Sequence, residues 1–368
     1  MRPLSTFAFC LLINNILVSA GYGQAAETFT AYYGTSDASA AVGVGKELFV
    51  VADDENNVLR VYKADKSSLP VSTFDLTLFL DVEPDYPEAD IEGATIAGDL
   101  IYWISSHGRN QDGKIRQSRY RFFATSVKVE KGGVILTPVG SPCRTLMQEM
   151  MKTVTLQHLE LGSATRFDAK KLKKEDREKL APKEDGLNIE GLCATPDGKI
   201  LYIGLRNPLF FDSATCEKRA IIVPLLNPKQ VIENGNLPIF GSPILWRLDG
   251  LGIRGMEYSR FHKAYFIIAG PADGASDFAL YRWSGKEENQ PVLVKKFPAD
   301  KNNFTPETLV VFENSGRLLV LSDDGSLAIN VADASECAKG KLREDGKCLN
   351  KYLADQNKKY FRGLWLEQ

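Results

Sequence analysis

The sequence predicts an all-β fold, a single β-propeller of five or six four-stranded blades, with seven blades as the remaining alternative. Two observations carry this prediction. A short motif of the form Ile-Glu-Gly recurs along the chain, most clearly at residues 90–94 and 188–192. Each copy is followed by a polar turn and then by an apolar run typical of a β-strand. Self-similarity of this kind indicates a protein built from repeated supersecondary units.

Five copies of the unit can be aligned. The motif copies lie at residues 40–45, 90–94, 188–192, 252–256 and 305–309, and the apolar runs that follow them at 48–51, 100–104, 200–203, 264–268 and 318–321. The turns between them contain residues that accept the positive φ of tight hairpins, for example Gly98, Gly198 and Asn314. Each unit is therefore predicted to begin with a hairpin of two inner strands.

Further apolar segments predict the outer strands of the blades. They lie at residues 119–123, 133–136, 220–223 and 278–283. Together with the inner hairpins they make the four-stranded sheet that is the unit of a propeller. The last apolar run, residues 361–366, is expected to pair with residues 29–33 and so close the ring.

One interval between units, from Gly98 to Gly198, is too long for a single repeat. A missed blade would explain it, but the residues favour an insertion. Apolar residues recur at helical spacing, at Leu146, Met147 and Met150. Residues 168–180 are rich in lysine and glutamate, as in a solvated helix. We therefore predict a helical insertion over residues 144–182.

Residues 1–25 are predicted to be a secretory signal peptide. Arg2 supplies the positive start, an apolar run follows, and small residues at Ala20 and Ala25 offer cleavage sites. The apolar stretch is too short and too broken to span a bilayer. We expect a propeller domain over residues 26–368, periplasmic or secreted after cleavage, with no membrane span.

The cysteines fit an oxidising compartment. Cys337 and Cys348 bracket a polar loop and form the best disulfide pair, whose closure would stabilise the fold by about 2 to 3 kcal/mol. Cys193 and Cys216 form a weaker second pair, which leaves Cys143 unpaired. No CxxC spacing occurs, so neither a zinc knuckle nor a thioredoxin-like redox site is indicated.

Composition and charge exclude some classes of function. Apolar residues make up 44% of the chain and charged residues 25%, as in an ordinary globular protein. The net charge of −2 argues against a nucleic-acid binder, which would need a basic face. No GxSxG, HExxH, P-loop, GxGxxG or EF-hand motif is present. A standard cofactor enzyme is therefore not predicted.

The repeated carboxylates are candidate metal ligands. Glu92, Glu190 and Glu307 come from equivalent positions in three units, and Asp323 follows a second strand. Carboxylates that converge on a propeller axis could hold a divalent cation such as Ca²⁺ through hard oxygen ligands. The competing interpretation is structural, because a residue repeated in each blade can accept backbone N–H groups of the next blade.

The places where the repeat breaks are candidate catalytic positions, because a catalytic site is asymmetric. Arg254 replaces the repeated glutamate, and His107, Arg109 and Arg206 follow second strands. The arginines could clamp phosphate or carboxylate, and His107 could act as a general base. Alternatively, Arg206 and Arg254 form interblade salt bridges with the glutamates, and His107 is an ordinary loop histidine.

The chain resembles a family in an ordered set of short motifs. They are Ser-His-Gly-Arg-Asn at 106–110, Asn-Ile-Glu-Gly-Leu at 188–192, Gly-Leu-Arg-Asn-Pro at 204–208, Leu-Gly-Ile-Arg-Gly at 251–255, Ile-Ile-Ala-Gly-Pro at 267–271 and Tyr-Arg-Trp at 281–283. The set resembles the bacterial domain-of-unknown-function family numbered 3616, over nearly the whole mature chain. More distantly, the hairpin units are similar to esterase-like phytase and gluconolactonase-type propellers. That resemblance implies metal-assisted hydrolysis of phosphoesters or lactones and assigns no residue.

Two functions are predicted. The first is an exported propeller that binds an anionic small molecule or a protein partner at the rim of its central channel. The second is a divalent-metal hydrolase of phosphate or carboxyl esters or lactones, in which Arg206 and Arg254 orient the anion. The second function requires several carboxylates within reach of one point. It fails if each glutamate is bonded only to backbone or to an arginine of the adjacent blade.

Overall fold

A computed structural model describes residues 28–130, 133–167, 172–182, 185–272, 277–297 and 303–368. The predicted signal peptide at residues 1–25 lies outside the described residues. Within these ranges, no helix is both long enough and apolar enough to cross a membrane.

The described chain forms six antiparallel sheets, five of which are the blades of a five-bladed β-propeller. Strand β1 (Phe29–Tyr33) belongs to the last blade. The first blade consists of β2 (Ala40–Val44), β3 (Leu48–Ala52), β4 (Val58–Lys63) and β5 (Ser72–Asp75). After a short helix, α1 (Thr77–Leu80), the second blade consists of β6 (Ile91–Ala97), β7 (Leu100–Ser105), β8 (Phe122–Glu130) and β9 (Gly133–Cys143).

An insertion of short helices separates the second and third blades. It contains α2 (Leu146–Lys152), a 3₁₀ turn (Val154–Leu159), α3 (Leu161–Thr165) and α4 (Lys174–Glu178). Leu146, Met147 and Met150 are fully buried and pack with residues of the second and third blades. The insertion predicted over residues 144–182 is therefore confirmed. Part of its predicted lysine-rich helix, residues 168–171, lies outside the described residues.

The remaining blades follow in chain order. The third blade consists of β10 (Asn188–Ala194), β11 (Leu201–Asn207), β12 (Phe210–Asp212), β13 (Glu217–Leu225) and, after α5 (Pro228–Asn234), β14 (Ile244–Trp246). The fourth consists of β15 (Gly252–Ser259), β16 (Ala264–Gly270), β17 (Phe278–Trp283) and β18 (Val292–Phe297). The fifth begins with β19 (Pro306–Val311) and β20 (Arg317–Ser322), continues after a small hairpin of β21 (Ala328–Asn330) and β22 (Lys347–Leu349), and ends with β23 (Tyr360–Glu367).

The inner strands of the blades are the segments that carry the repeated motif. Strands β2, β6, β10, β15 and β19 each contact the inner strands of both neighbouring blades, with β19 returning to β2. The predicted turn residues have positive φ, at 66° for Gly98, 69° for Gly198 and 58° for Asn314. The predicted two-strand repeat unit is therefore confirmed, and the blade number is five.

The ring is closed by pairing the two ends of the chain. Strand β1 pairs antiparallel with β23, so that Phe29 lies opposite Leu364, and the fifth blade has the order β1-β23-β20-β19. The side chain of Tyr32 stacks on Phe361 with ring centroids 5.2 Å apart. The closure predicted from residues 29–33 and 361–366 is confirmed.

The hydrophobic core is divided into clusters between adjacent blades. Each of five clusters combines residues from two neighbouring sheets, for example Val42 with Trp103, and Ile268 with Leu309. Both faces of every blade are thus apolar, which is why the strands carry long buried runs instead of strict alternation.

The cysteine predictions were partly right. Cys337 and Cys348 form the predicted disulfide across the β21–β22 hairpin, which indicates folding in an oxidising compartment. The weaker pair was wrong, because Cys193 is buried between the third and fourth blades whereas Cys216 is exposed in the turn before β13. Cys143 is also a free thiol, as predicted.

The closing strand provides a test of the ring. Phe361 is fully buried between Tyr32 and Tyr62, so Phe361→Ala should lower the free energy of unfolding by about 3 to 5 kcal/mol through lost burial and the cavity left behind. Leu78→Ala, at a side chain that is 97% exposed, should change it by less than about 0.5 kcal/mol. Urea unfolding followed by far-UV circular dichroism measures both. Equal effects of the two substitutions would contradict closure through β23.

Candidate functional site

The repeated glutamates are the extra residues of β-bulges. In four inner strands the pairing with the second strand skips one residue, between Ile91 and Gly93 and at the equivalent points of β10, β15 and β19. The skipped residues are Glu92, Glu190, Arg254 and Glu307. A bulge leaves its extra residue out of the ladder and re-aims its side chain. The motif therefore places one polar or charged group per blade near the N-terminal end of each of these inner strands.

The glycine after the bulge follows from the close approach of neighbouring blades. A Cβ on Gly93 would lie 3.0 Å from Leu192 Cβ of the third blade, and a Cβ on Gly191 would lie 2.7 Å from the Ile253 side chain of the fourth blade. A side chain at either position would force the neighbouring blade to shift, so the glycines have a packing role.

Arg254 lies between two of the glutamates. Its Nε is 3.1 Å from Glu190 Oε2, and its Nη2 donates to Glu307 Oε2. Arg206 donates from Nη1 to Glu190 Oε1 at 2.9 Å. All three side chains of the Glu190–Arg254–Glu307 triad are less than a tenth exposed. Burial opposes the charge of Arg254, but Glu190 and Glu307 raise its pKa, so it stays a cation.

This arrangement matches the structural alternative for Arg254, which was predicted to form interblade salt bridges. Arg206 pairs instead with Glu190 of its own blade. Glu190, Arg254 and Glu307 come from the third, fourth and fifth blades, so their ion pairs cross two blade interfaces. An anion clamp would need free guanidinium groups, and both guanidinium groups already donate to carboxylates.

Glu92 differs from the other two glutamates. It is partly exposed, and no residue in the described ranges forms a hydrogen bond or ion pair with its carboxylate. Burial and the charges of Asp90 and Glu190 raise the pKa of Glu92 well above its usual range. It is therefore an acid without a counter-charge of its own.

Glu92 belongs to two groups of carboxylates. One carboxylate oxygen each of Glu92, Glu190 and Glu307 lies within 4.8 Å of the other two, and the same holds for one oxygen each of Glu92, Asp54 and Asp90. The sequence prediction named Glu92, Glu190 and Glu307 together, and the structure brings these three together. Asp90 is paired with Arg119 at 2.9 Å.

Asp37 and Asp323 extend this cluster. Asp54 Oδ1 and Asp37 Oδ1 are buried and have no hydrogen-bond partner in the part of the chain that the structure describes. Asp37 is only 8% exposed, and burial together with the charge of Asp323 raises its pKa. Asp323 accepts the backbone N–H of Gly325 at 2.8 Å. We call the set the acidic end of the channel; it comprises Asp37, Asp54, Asp90, Glu92, Glu190, Glu307 and Asp323.

Sequence reasoning missed part of the acidic end. Asp90 stands inside the repeated motif, two residues before Glu92, and Asp54 follows a second strand just as Asp323 does. Both positions carried a usable signal. No sequence signal marked Asp37. The first unit is a degenerate copy of the repeat, and its inner strand β2 pairs with β3 without a bulge.

The structure leaves His107 and Arg109 outside the carboxylate groups. His107 is 1% exposed, and its Nδ1 lies 2.8 Å from the Ser105 carbonyl, which can only accept a hydrogen bond, so Nδ1 carries the hydrogen. Burial lowers the pKa of His107 to about 4, so the ring is neutral. Arg109 donates to the carbonyls of Thr165 and Gly113 and so anchors the helical insertion.

Comparison with known proteins identifies a family. Residues 37–327 match the family described as protein of unknown function (DUF3616). No curated protein matches the chain in sequence. The family resemblance drawn from the short motifs is thereby confirmed.

Several solved structures resemble the chain at low identity. Kuenenia stuttgartiensis hydrazine synthase is 10% identical with a TM-score of 0.35 over 85% of this chain, which spans 62% of that protein. Myxococcus xanthus glutaminyl cyclase is 12% identical with a TM-score of 0.40, covering 80% of this chain and 88% of that one. A putative oxidoreductase (glucose dehydrogenase) from Thermus thermophilus is 11% identical with a TM-score of 0.40, covering 92% of this chain and 100% of that one. The likeness concerns the fold alone.

Removing Arg254 should destabilise the protein strongly. Arg254→Met leaves Glu190 and Glu307 buried beside each other, and breaking a buried ion pair in this way costs about 3 to 5 kcal/mol of unfolding free energy. Arg282→Met, at an exposed position of the same blade, should cost less than about 0.5 kcal/mol. Chemical denaturation at neutral pH compares the two. A loss below about 1 kcal/mol for Arg254→Met would contradict its bridging role.

The acidic end should also make the metal-free protein less stable as pH rises. Asp37, Asp54 and Glu92 have raised pKa values in the folded state, so the folded protein binds protons more tightly than the unfolded chain. Their contribution is present below the unfolded pKa, near pH ~4, and is lost as pH rises through the folded pKa values.

Glu92→Gln is neutral at every pH and should therefore weaken this dependence. We expect the difference in melting temperature between Glu92→Gln and wild type, both in chelator, to grow from about pH 5 to about pH 8. Glu47→Gln, at an exposed turn position, should show no such trend. Parallel curves for wild type and Glu92→Gln would show that Glu92 is not part of an interacting acidic cluster.

Proposed function

This chain belongs to the family of proteins of unknown function designated DUF3616, and we propose that it is an exported β-propeller that binds a divalent cation of the calcium type at the acidic end of its channel. The observation that carries the proposal is the position of Glu92. It is shared by two carboxylate triads that draw on four blades and has no partner of its own among the described residues.

The spacing of the oxygens suits one ion. Ca²⁺ binds oxygen ligands at about 2.4 Å, so two ligands on opposite sides of one ion lie about 4.8 Å apart. One carboxylate oxygen from each of Asp54, Asp90 and Glu92 lies within 4.8 Å of the other two. A single cation can therefore contact all three without movement of the backbone.

The charge balance favours the Asp54–Asp90–Glu92 triad over the Glu92–Glu190–Glu307 triad. Arg254 and Arg206 already offset the charges of Glu190 and Glu307. In the first triad, Arg119 pairs with Asp90. Asp54 and Glu92 keep uncompensated charge, and the pKa of each is raised by burial and by neighbouring acids. A bound dication would remove this repulsion.

The chemistry of the donors selects the class of metal. Every member of both triads is a carboxylate, which suits hard cations and not the softer metals that prefer histidine or cysteine. The donors of the favoured triad are Asp54, which follows a strand of the first blade, and Asp90 and Glu92, which lie at the bulge of the second blade, and this placement does not impose octahedral geometry. Ca²⁺ accepts irregular coordination, whereas Mg²⁺ demands near-ideal octahedral geometry.

A bound cation would also give the channel a way to hold an anionic ligand. An ion with open coordination positions can bind a carboxylate or phosphate group that the acidic end alone would repel. Hydrolysis would need a base as well. His107 is 1% exposed and its Nδ1 is engaged by a carbonyl, so we propose cation-dependent binding and not hydrolysis.

The proposal is tested by titrating CaCl₂, MgCl₂ and MnCl₂ into chelator-treated protein in a calorimeter. We expect saturable binding of one ion with Ca²⁺ favoured. Glu92→Gln and Asp54→Asn should each weaken binding by about tenfold or more, because each removes a charged ligand. Glu47→Gln serves as the matched control at an exposed position and should leave affinity unchanged. Absence of binding by all three ions, or unchanged affinity in Glu92→Gln, would overturn the proposal.

A further inference from the structure

The other end of the channel contains a cavity of about 490 Å³. The C-terminal ends of all five inner strands and their hairpin turns line it, including Gly45, Gly98, Pro196 and Asn314. The acidic end lies at the N-terminal ends of the same strands. We call this second region the turn end. The lining residues that matter below are Glu257, Tyr258, Arg260, Phe261, Phe312 and Glu313. Cys193 lies close to Glu257 but does not line the cavity.

Glu257 breaks the symmetry of the turn end. It stands two residues after the bulge glycine of its strand, opposite Phe266 of β16. The other inner strands have uncharged residues at the equivalent position, namely Val42, Thr95, Cys193 and Val310. Thr95 uses its hydroxyl to accept the backbone N–H of Ala194 on the next blade. Of the five inner strands, only β15 has a carboxyl group at this position, so the repeat does not explain it.

The carboxyl of Glu257 is buried without a full set of partners. The residue is 5% exposed, and its Oε2 has no hydrogen-bond partner among the residues that the structure describes. Burial raises the pKa of Glu257 to about 8, although a hydrogen bond from the backbone N–H of Tyr258 acts in the opposite direction. An unsatisfied buried carboxyl destabilises a fold, so its presence beside a cavity points to a ligand.

The surroundings of Glu257 are apolar and aromatic. Tyr258, Phe261 and Phe312 line the cavity, and Phe261 is 59% exposed beside it. Such walls accept a flat apolar group and attract cations over their ring faces. The other charged groups nearby are Arg260 and Glu313 in the lining and the turn residues Lys46, Glu47, Asp99 and Asp197. The buried thiol of Cys193 is also near, and burial raises its pKa, so it is neutral. The carboxyl groups in this set are all exposed.

We propose that the turn end binds an organic cation whose N–H donors are carried on a flat apolar body. The donors would bond to the free oxygen of Glu257, and the apolar body would pack on the aromatic wall. Binding at neutral pH releases the Glu257 proton to solvent and leaves a carboxylate–cation pair inside the cavity. A neutral ligand of the same shape cannot form that pair. The proposal is independent of the cation site at the acidic end.

Benzamidine is the probe, since it joins a planar cationic N–H donor group to an aromatic ring. Benzamide, its neutral analogue, is the matched control ligand. We expect calorimetry to show benzamidine binding one site, and benzamide binding at least about tenfold more weakly. Benzamidine affinity should rise by about tenfold or more between about pH 6.5 and about pH 8.5, because Glu257 ionises over that range while benzamidine stays charged.

Two variants separate this site from the acidic end. Glu257→Gln should weaken benzamidine binding by about tenfold or more, because the charge is lost while the shape is kept. Glu92→Gln, at the opposite end of the channel, should leave it unchanged. Equal binding of benzamidine and benzamide, or an effect of Glu92→Gln in place of Glu257→Gln, would overturn the proposal. If Glu257→Gln fails to fold, the wild-type pH dependence decides, and an affinity independent of pH would refute the role of Glu257.

Discussion

Each blade of this protein has two apolar faces, and both are buried only when the ring is closed. The five core clusters lie between neighbouring sheets, so every blade depends on two partners. Closure is supplied by β1 and β23, which join the ends of the chain in one sheet. Once the ring is closed, the inner strands surround a channel, and the chemistry of that channel depends on which side chains the inner strands place in it.

The β-bulges determine which side chains lie at the acidic end of the channel. It removes Glu92, Glu190, Arg254 and Glu307 from the strand ladders at equivalent points of four blades. Four acids at these positions would repel one another strongly inside a narrow channel. The replacement of one glutamate by Arg254 relieves this repulsion on one side of the ring, since it pairs with both neighbours. The opposite side, around Glu92, keeps its negative charge.

The two ends of the channel therefore differ in a physically simple way. At the N-terminal ends of the inner strands, carboxylates are crowded and share three arginines, Arg119, Arg206 and Arg254. At the C-terminal ends, Glu257 is the one buried carboxyl among the lining residues that the structure describes, and it lies beside apolar and aromatic walls. Many acids close together favour a multivalent metal ion, whereas one acid in an apolar cavity favours a monovalent organic cation.

The sequence alone determined the repeat, the hairpin units, the closing strand, the helical insertion and the Cys337–Cys348 disulfide, because each is written in local spacing or in turn chemistry. It also identified Glu92 as one of the repeated glutamates and Arg254 as the residue that replaces this glutamate in one unit. Only the tertiary structure decided the number of blades, the free state of Cys193 and the partners of the charged residues. Ion pairing and burial depend on distances between blades, and residues such as Asp37 and Glu257 carry no local signal of where the ring will bring them.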